Sequence, residues 1–200
     1  MGAAAAVAAV TVTGCASAGF MSAAVAWPVL RAGPRLPAGS GALVGVAAVS
    51  ARDVWAVGST GFVAGRPLIE RWDGRSWRRF PVPGLPRIGS LTSVAAVSAR
   101  DAWAVGSAGA GAGRPLIARW NGTAWRRVPV SLRSVSLYNV AAVAGRAAWA
   151  AGCSQGRPAI LRWDGRSWTR MPIRSLRAAG CFDAVAAVSA RTCGRSATSA

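Results

Sequence analysis

Three observations predict an all-β chain, built as a partial β-propeller of three four-stranded antiparallel blades plus the first strand of a fourth. First, Val46-Ala47-Ala48-Val49 returns as Val94–Val97, Val140–Val143 and Val185–Val188, at spacings of 48, 46 and 45 residues. Second, Trp72-Asp73-Gly74-Arg75-Ser76-Trp77 returns as Trp120-Asn121-Gly122-Thr123-Ala124-Trp125 and as Trp163-Asp164-Gly165-Arg166-Ser167-Trp168. Third, each unit divides into four short apolar runs separated by turn residues, with no helical period anywhere. A repeat of roughly 40–50 residues holding four strands is what a propeller blade needs.

Residues 1–30 carry no charged side chain and read as an export signal, with Ala3–Val12 as its apolar part. Val12-Thr13-Gly14-Cys15 fits lipidation at Cys15, Ala24-Val25-Ala26 fits cleavage after Ala26, and an incomplete start fits the missing basic region. The reading opposed to an export signal is a decayed repeat unit, with Val7-Ala8-Ala9-Val10 as its strand and Trp27-Pro28-Val29 as its close. Gly, Ser, Thr and Pro interrupt every apolar window of about twenty residues, so a permanent membrane helix is not expected. Residues 31–42 form a Pro/Gly-rich linker.

Blades are then expected at 43–90, 91–136 and 137–180, with 181–191 opening a fourth. In each, a Val-Ala-Ala-Val strand turns through Ser-Ala-Arg-Asp or its counterpart into a second strand carrying Trp55, Trp103 or Trp149. Both runs are small and apolar on both faces, as suits inner strands sandwiched between neighbouring blades. A Gly-rich loop leads to the third strand, Pro67–Trp72 in the first unit, and the Asp-Gly or Asn-Gly turn leads to the fourth, Trp77–Val82. Asn and Asp accept the positive φ of a tight turn at little cost, and the flanking Trp residues can pair across it. Arg78-Arg79 and Arg126-Arg127 fall on the outermost strand, where charge keeps an edge from pairing with another chain.

All 24 basic residues are Arg and the net charge is +18, against six acidic residues and no His. Such a balance points toward acidic partners, but absence of Lys in an Ala/Gly/Arg-rich chain is also a mark of GC-rich coding. The repeat disperses the pairs Arg78-Arg79 and Arg126-Arg127 round the rim, so a nucleic-acid surface is not expected. Asp53, Asp101, Asp73 and Asp164 recur with turns, leaving Glu70 and Asp183 on different units. No acid–base, nucleophilic or metal constellation assembles from these residues, so neither catalysis nor a cofactor is expected. Cys153 and Cys181, standing where other units have Ser59/Ser107 and Leu91/Leu137, are candidates for a disulfide or for two free thiols. The recurrent Trp residues read as packing rather than as platforms for sugars or bases.

Asp53-Val54-Trp55-Ala56-Val57-Gly58 and the Trp-Asp-Gly-x-Ser-Trp hairpin resemble kelch-type and related exported bacterial propeller repeats over residues 43–190. Gly58, Gly106 and Gly152 stand singly where the kelch pattern has a Gly pair, and Asp73 lies one residue too near Trp77 for a sialidase-type Asp box. Propellers that it resembles include enzymes and binding scaffolds. Since no catalytic residue of either maps here, the expected function is a non-catalytic exported module at the cell envelope, binding a protein or polysaccharide ligand or serving structurally. The loops Ser59–Gly65, Ser107–Gly113 and Cys153–Gly156 are where ligand contact is expected. Two alternatives remain: a fragment of a galactose-oxidase- or sialidase-type enzyme, and a binder of acidic polymers.

After Arg191 the chain reads Thr192-Cys193-Gly194-Arg195-Ser196-Ala197 where the repeat calls for Asp-Val-Trp-Ala-Val-Gly. Removing one nucleotide after the Arg codon of the repeat's coding stretch yields that tail, so 192–200 is read as frameshifted and the gene product as truncated. Three blades fall short of the usual closure. Exposed blade faces are then expected to drive aggregation, self-association or pairing with a further propeller segment.

Overall fold

The computed structural model describes residues 41–61, 65–109, 113–143, 147–173 and 180–187. The export signal with Cys15, nearly all of the linker and the tail 192–200 lie outside them. The described chain is twelve strands in three four-stranded antiparallel sheets. The first sheet contains β1 (Ala42–Ser50), β2 (Asp53–Ser59), β3 (Pro67–Trp72) and β4 (Trp77–Arg79). The second contains β5 (Gly89–Ser98), β6 (Asp101–Ala108), β7 (Arg114–Trp120) and β8 (Trp125–Arg127). The third contains β9 (Ser136–Val143), β10 (Ala147–Ser154), β11 (Arg157–Trp163) and β12 (Trp168–Arg170). Strands neighbour one another in chain order within each sheet.

The first strands, β1, β5 and β9, are the contact seam between sheets: β1 lies on β5, and β5 on β9. Their small side chains allow this approach. Above the seam the sheets pack face to face through two apolar layers. Between the first two, Trp55, Val57 and Ile69 meet Leu91, Val94, Ala104, Leu116, Trp120 and Trp125. Between the second and third, Trp103, Val105 and Ile117 meet Leu137, Val140, Ala150, Leu161, Trp163 and Trp168. One face of every blade thus looks forward and the other back, which is the alternation that a period of two imposes on a strand.

Each first strand carries an extra residue near its start: Val44, Thr92 and Tyr138 are bulged opposite β2, β6 and β10. Facing each bulge is the Gly that ends Trp-Ala-Val-Gly or its counterpart. A Cβ at Gly58, Gly106 or Gly152 would strike the backbone carbonyl oxygen of Ala42, Ser90 or Ser136. That single Gly, not a pair, is the size of gap the bulge leaves.

Residues 181–187, expected to open a fourth blade, carry no strand ladder. Every other first strand pairs with a second strand of its own blade, and none follows this segment among the described residues. The segment still lies on the third blade as a first strand does. Val185 N–H donates to Asn139 Oδ1 at 3.3 Å, one repeat on from Val140 N–H donating to Ser93 Oγ at 3.3 Å. This register puts Cys181 level with Ser90 and Ser136, one residue away from the Leu positions expected.

Gly106→Ala is expected to destabilise the chain by about 3 kcal/mol, since backbone, not a movable side chain, must yield. Ala at exposed Gly156 replaces a left-handed residue in open space and is expected to cost roughly 1 kcal/mol. Urea titration of both variants checks the order; equal midpoints would contradict this account.

Candidate functional site

The blade connections gather at two ends. At the hairpin end are the turns between first and second strands and the three Trp-x-Gly hairpins. At the loop end are the connections β2–β3, β6–β7 and β10–β11 together with the links between blades. Residues 62–64 and 110–112 of the expected ligand loops lie outside the described residues. The flanks of the loops are held by backbone bonds. Thr60 N–H donates to Arg66 C=O at 2.9 Å, and Arg66 N–H to Thr60 Oγ1 at 3.0 Å. The links are stitched to the loops in turn: Gly89 N–H reaches Gly65 C=O at 3.0 Å, Gly109 N–H reaches Ile88 C=O at 3.1 Å, and Gly180 N–H reaches Gly156 C=O at 3.0 Å. Gln155 and Gly156, with φ of 51° and 72°, make the third loop the tightest.

The expected Trp positions all fall in or beside the layers. Trp55 packs on Phe80, Trp120 and Trp125, with ring centroids 5.3, 5.0 and 5.1 Å away. Trp103 repeats this with Trp163 and Trp168 at 5.1 and 5.3 Å. Across the hairpins Trp72–Trp77, Trp120–Trp125 and Trp163–Trp168 sit 5.8, 6.1 and 5.9 Å apart, directly paired in register. Trp149 is half-buried, as are Trp72 and Trp77.

In the hairpins Gly74, Gly122 and Gly165 take φ of 93°, 97° and 104°, while Asp73, Asn121 and Asp164 keep negative φ. The Asx residue therefore serves through its side chain, which corrects the expectation from turn dihedrals. Asp73 Oδ1 accepts from Arg75 and Ser76 N–H, both at 2.8 Å. Asn121 Oδ1 accepts from Thr123 and Ala124 N–H at 3.0 and 2.9 Å, and Asp164 Oδ1 from Arg166 and Ser167 N–H at 2.7 and 2.8 Å. One acceptor oxygen is all the turn asks for. The backbone bonds from Ser76 and then Arg75 hold the Asp73 carboxyl below its ordinary value of 3.8, and those from Ser167 and Arg166 do the same for Asp164.

Asp53 and Asp101 are not turn residues. Asp53 accepts from Arg71 Nε and Nη2 at 2.7 and 2.9 Å, and the guanidinium lies 4.8 Å from the Trp55 ring and 5.7 Å from Trp120. Asp101 and Arg119 repeat the pair at 3.0 Å, with Trp103 at 4.9 Å. Sequence reasoning missed both, although the Asp-to-Arg offset of 18 recurs. In the third blade Ala147 replaces the Asp and leaves Arg162 exposed. Glu70, only 3 % exposed, approaches Arg79 at 3.5 Å, and its Oε2 has no hydrogen-bond partner. Among the described residues no three His, Cys, Asp or Glu groups cluster to hold a metal.

Cys153, buried at the end of β10, is bonded to Cys181 with Cα atoms 4.7 Å apart. The bond fastens 181–187 to the third blade, beside Phe182 N–H donating to Gly152 C=O at 3.1 Å.

No protein-family model and no curated protein matches the chain. Solved structures do. YCF48 bound to D1 peptide is similar with a TM-score of 0.50 and 19 % identity, covering 68 % of this chain and 41 % of that one. The fold is that of a β-propeller. YCF48 from Cyanidioschyzon merolae has a TM-score of 0.48 and 16 % identity over the same shares. The chain thus spans less than half the length of these propellers. Nothing in the comparison singles out a kelch-type lineage.

Two outcomes are expected. Ala147→Asp should restore the Asp–Arg–Trp arrangement around Arg162 and Trp149 and stabilise by about 1 kcal/mol, read as a higher urea midpoint. Asp73 and Asp164, with folded values below the unfolded one, lend the hairpins support that is complete above the unfolded value and disappears as pH falls through the folded value. Amide spectra should therefore show the first and third hairpins loosening below pH 3.8. The hairpin of Asn121, which does not titrate, should stay unchanged.

Proposed function

We propose that this chain is a non-catalytic propeller-repeat module, exported to the cell envelope, that takes a protein segment as its ligand at the loop end. The observation that carries the reading is the seam of β1, β5 and β9, which brings the loops of successive blades to one end round a common axis. Propellers support many unrelated functions, so the fold alone does not choose one. A peptide-bound propeller among the similar structures supports a protein segment over a polysaccharide. So does the placement of the Trp rings: among the described residues none is an exposed large apolar residue on which a sugar could stack. Export rests on the uncharged opening and on Cys15 or Ala26 as processing points.

Fractionation of a bacterial host with mass analysis of the mature N-terminus tests the location. The expected product is an envelope or medium species, lipidated at Cys15 or starting after Ala26; an unprocessed cytoplasmic chain would contradict export. For the ligand, the intact chain is screened against short peptides of varied net charge and against neutral glycans. Saturable binding of peptides but not glycans is expected, and the reverse result would overturn the choice.

A further inference from the structure

The fold sorts charge between the two ends of the blades in a way the linear repeat conceals. The carboxylates Asp53, Asp101, Asp73 and Asp164 stand at the hairpin end, in the pairs and turns described above. The loop end receives Arg66, Arg114 and Arg157 from the Gly-Arg-Pro step that opens each third strand. It also receives Arg87 and Arg133, at matching places in the links between blades. All five are exposed, and none is in an ion pair among the described residues. Asp183 is the one carboxylate near this end, on the segment beside Gly152. The repeat places Arg78, Arg79, Arg126 and Arg127 on the outermost strands, whereas these five come to the loop end.

The loop end is not uniformly polar. Ile88, at 47 % exposure, projects next to Arg87, and its carbonyl is bonded to Gly109 of the next loop. Val44, at 64 % exposure, is the bulged residue opposite the Gly58 end of β2. Arginine forks match carboxylates in pairs of parallel hydrogen bonds. Apolar side chains set among them suit a chain that alternates acid and apolar groups. A phosphate or sulfate polymer has no use for Ile88 and Val44, and among the described residues no aromatic side chain is exposed for bases or sugar rings to stack on.

From this placement we infer that the loop end binds an acidic peptide segment, held by Arg66, Arg114 and Arg157 with Arg87 and Arg133 flanking and with Ile88 and Val44 as apolar contacts. The inference rests on the protein-segment reading above and names the chemistry of that segment. Like charge makes the same end repel basic partners, so the arginines select as well as attract.

The test uses the intact chain and three sets of labelled short peptides: Asp/Glu-rich with interspersed Leu and Val, neutral, and Lys-rich. Acidic peptides should bind tightest, and added salt should weaken them steeply. The combined variant Arg66→Ser/Arg114→Ser/Arg157→Ser should lose about tenfold or more in affinity. Arg52→Ser/Arg75→Ser/Arg100→Ser removes the same charge from the hairpin end and should change affinity by less than about twofold. Circular dichroism of both variants should match the parent, as every altered side chain is exposed.

Equal losses in the two variants would show that net charge alone attracts the peptide, and the assigned end would be wrong. Neutral peptides binding better than acidic ones would overturn the inference while leaving the protein-segment reading in place. If no peptide binds, both fall. Heparin or duplex DNA that displaces the acidic peptide, and depends more strongly on the same three arginines, would make the partner an anionic polymer instead.

Discussion

A blade of this chain is apolar on both faces, and this fact governs the rest of the structure. A lone sheet of Val, Ala, Leu and Trp would leave two faces in water, so each blade is stable only when another lies against it. Trp55 shows how the contact is made: it is fully buried between Phe80 of its own blade and the Trp pair of the next hairpin. The remaining features follow from bringing sheets that close. Ala102 and Ala104 lie in the same layer as the indoles, and Ala47 and Ala96 pack against it, where small side chains leave room. The Asp–Arg pairs lie over the Trp rings, so the guanidinium is both neutralised and stacked where it meets the adjacent blade.

The outermost faces show the same constraint unmet. Val46 is 46 % exposed where its counterparts Val94 and Val140 are 6 % and 5 % exposed against a preceding blade. Leu43 is half-buried, while Leu91 and Leu137 are wholly covered. On the third blade the segment 181–187 occupies the inner part of the forward face, held by the Cys153–Cys181 bond. Farther out Met171 and Trp149 are left partly open. Among the described residues the outer apolar layer is thus the less covered part of these faces, and the first-strand seam the more covered.

Much of this was legible in the sequence because repeats multiply weak signals. A single Trp-Asp-Gly or Val-Ala-Ala-Val means little, but their fixed order, returning three times, determines strands, turns and blade count together. What stayed hidden depends on register and direction. That Asp53 meets Arg71 requires knowing which residues of β2 and β3 stand diagonally opposite. That Asp73 acts as an acceptor rather than through its own dihedral requires the turn's coordinates. The gathering of Arg66, Arg87, Arg114, Arg133 and Arg157 depends on which end of a blade each connection occupies. Composition, which sees only +18, cannot sort charge by end.

One small position in the first strands bears on how the blades find one another. Gly45, Ser93 and Asn139 are equivalent, and they differ in size in chain order. At Gly45 the Cα lies so close to the second blade that a Cβ would come within 3.0 Å of the Ser93 Cα and of the Thr92 carbonyl oxygen. Ser93 and Asn139 instead reach forward to the backbone N–H of Val140 and Val185. The blades are therefore not interchangeable parts. A chain of near-identical units risks folding with a neighbour skipped or with a unit borrowed from another molecule. Here a blade placed out of turn brings a side chain where the neighbouring backbone must give way, or a backbone N–H with no acceptor facing it. Divergence at this one site gives each copy an address within an otherwise repetitive chain.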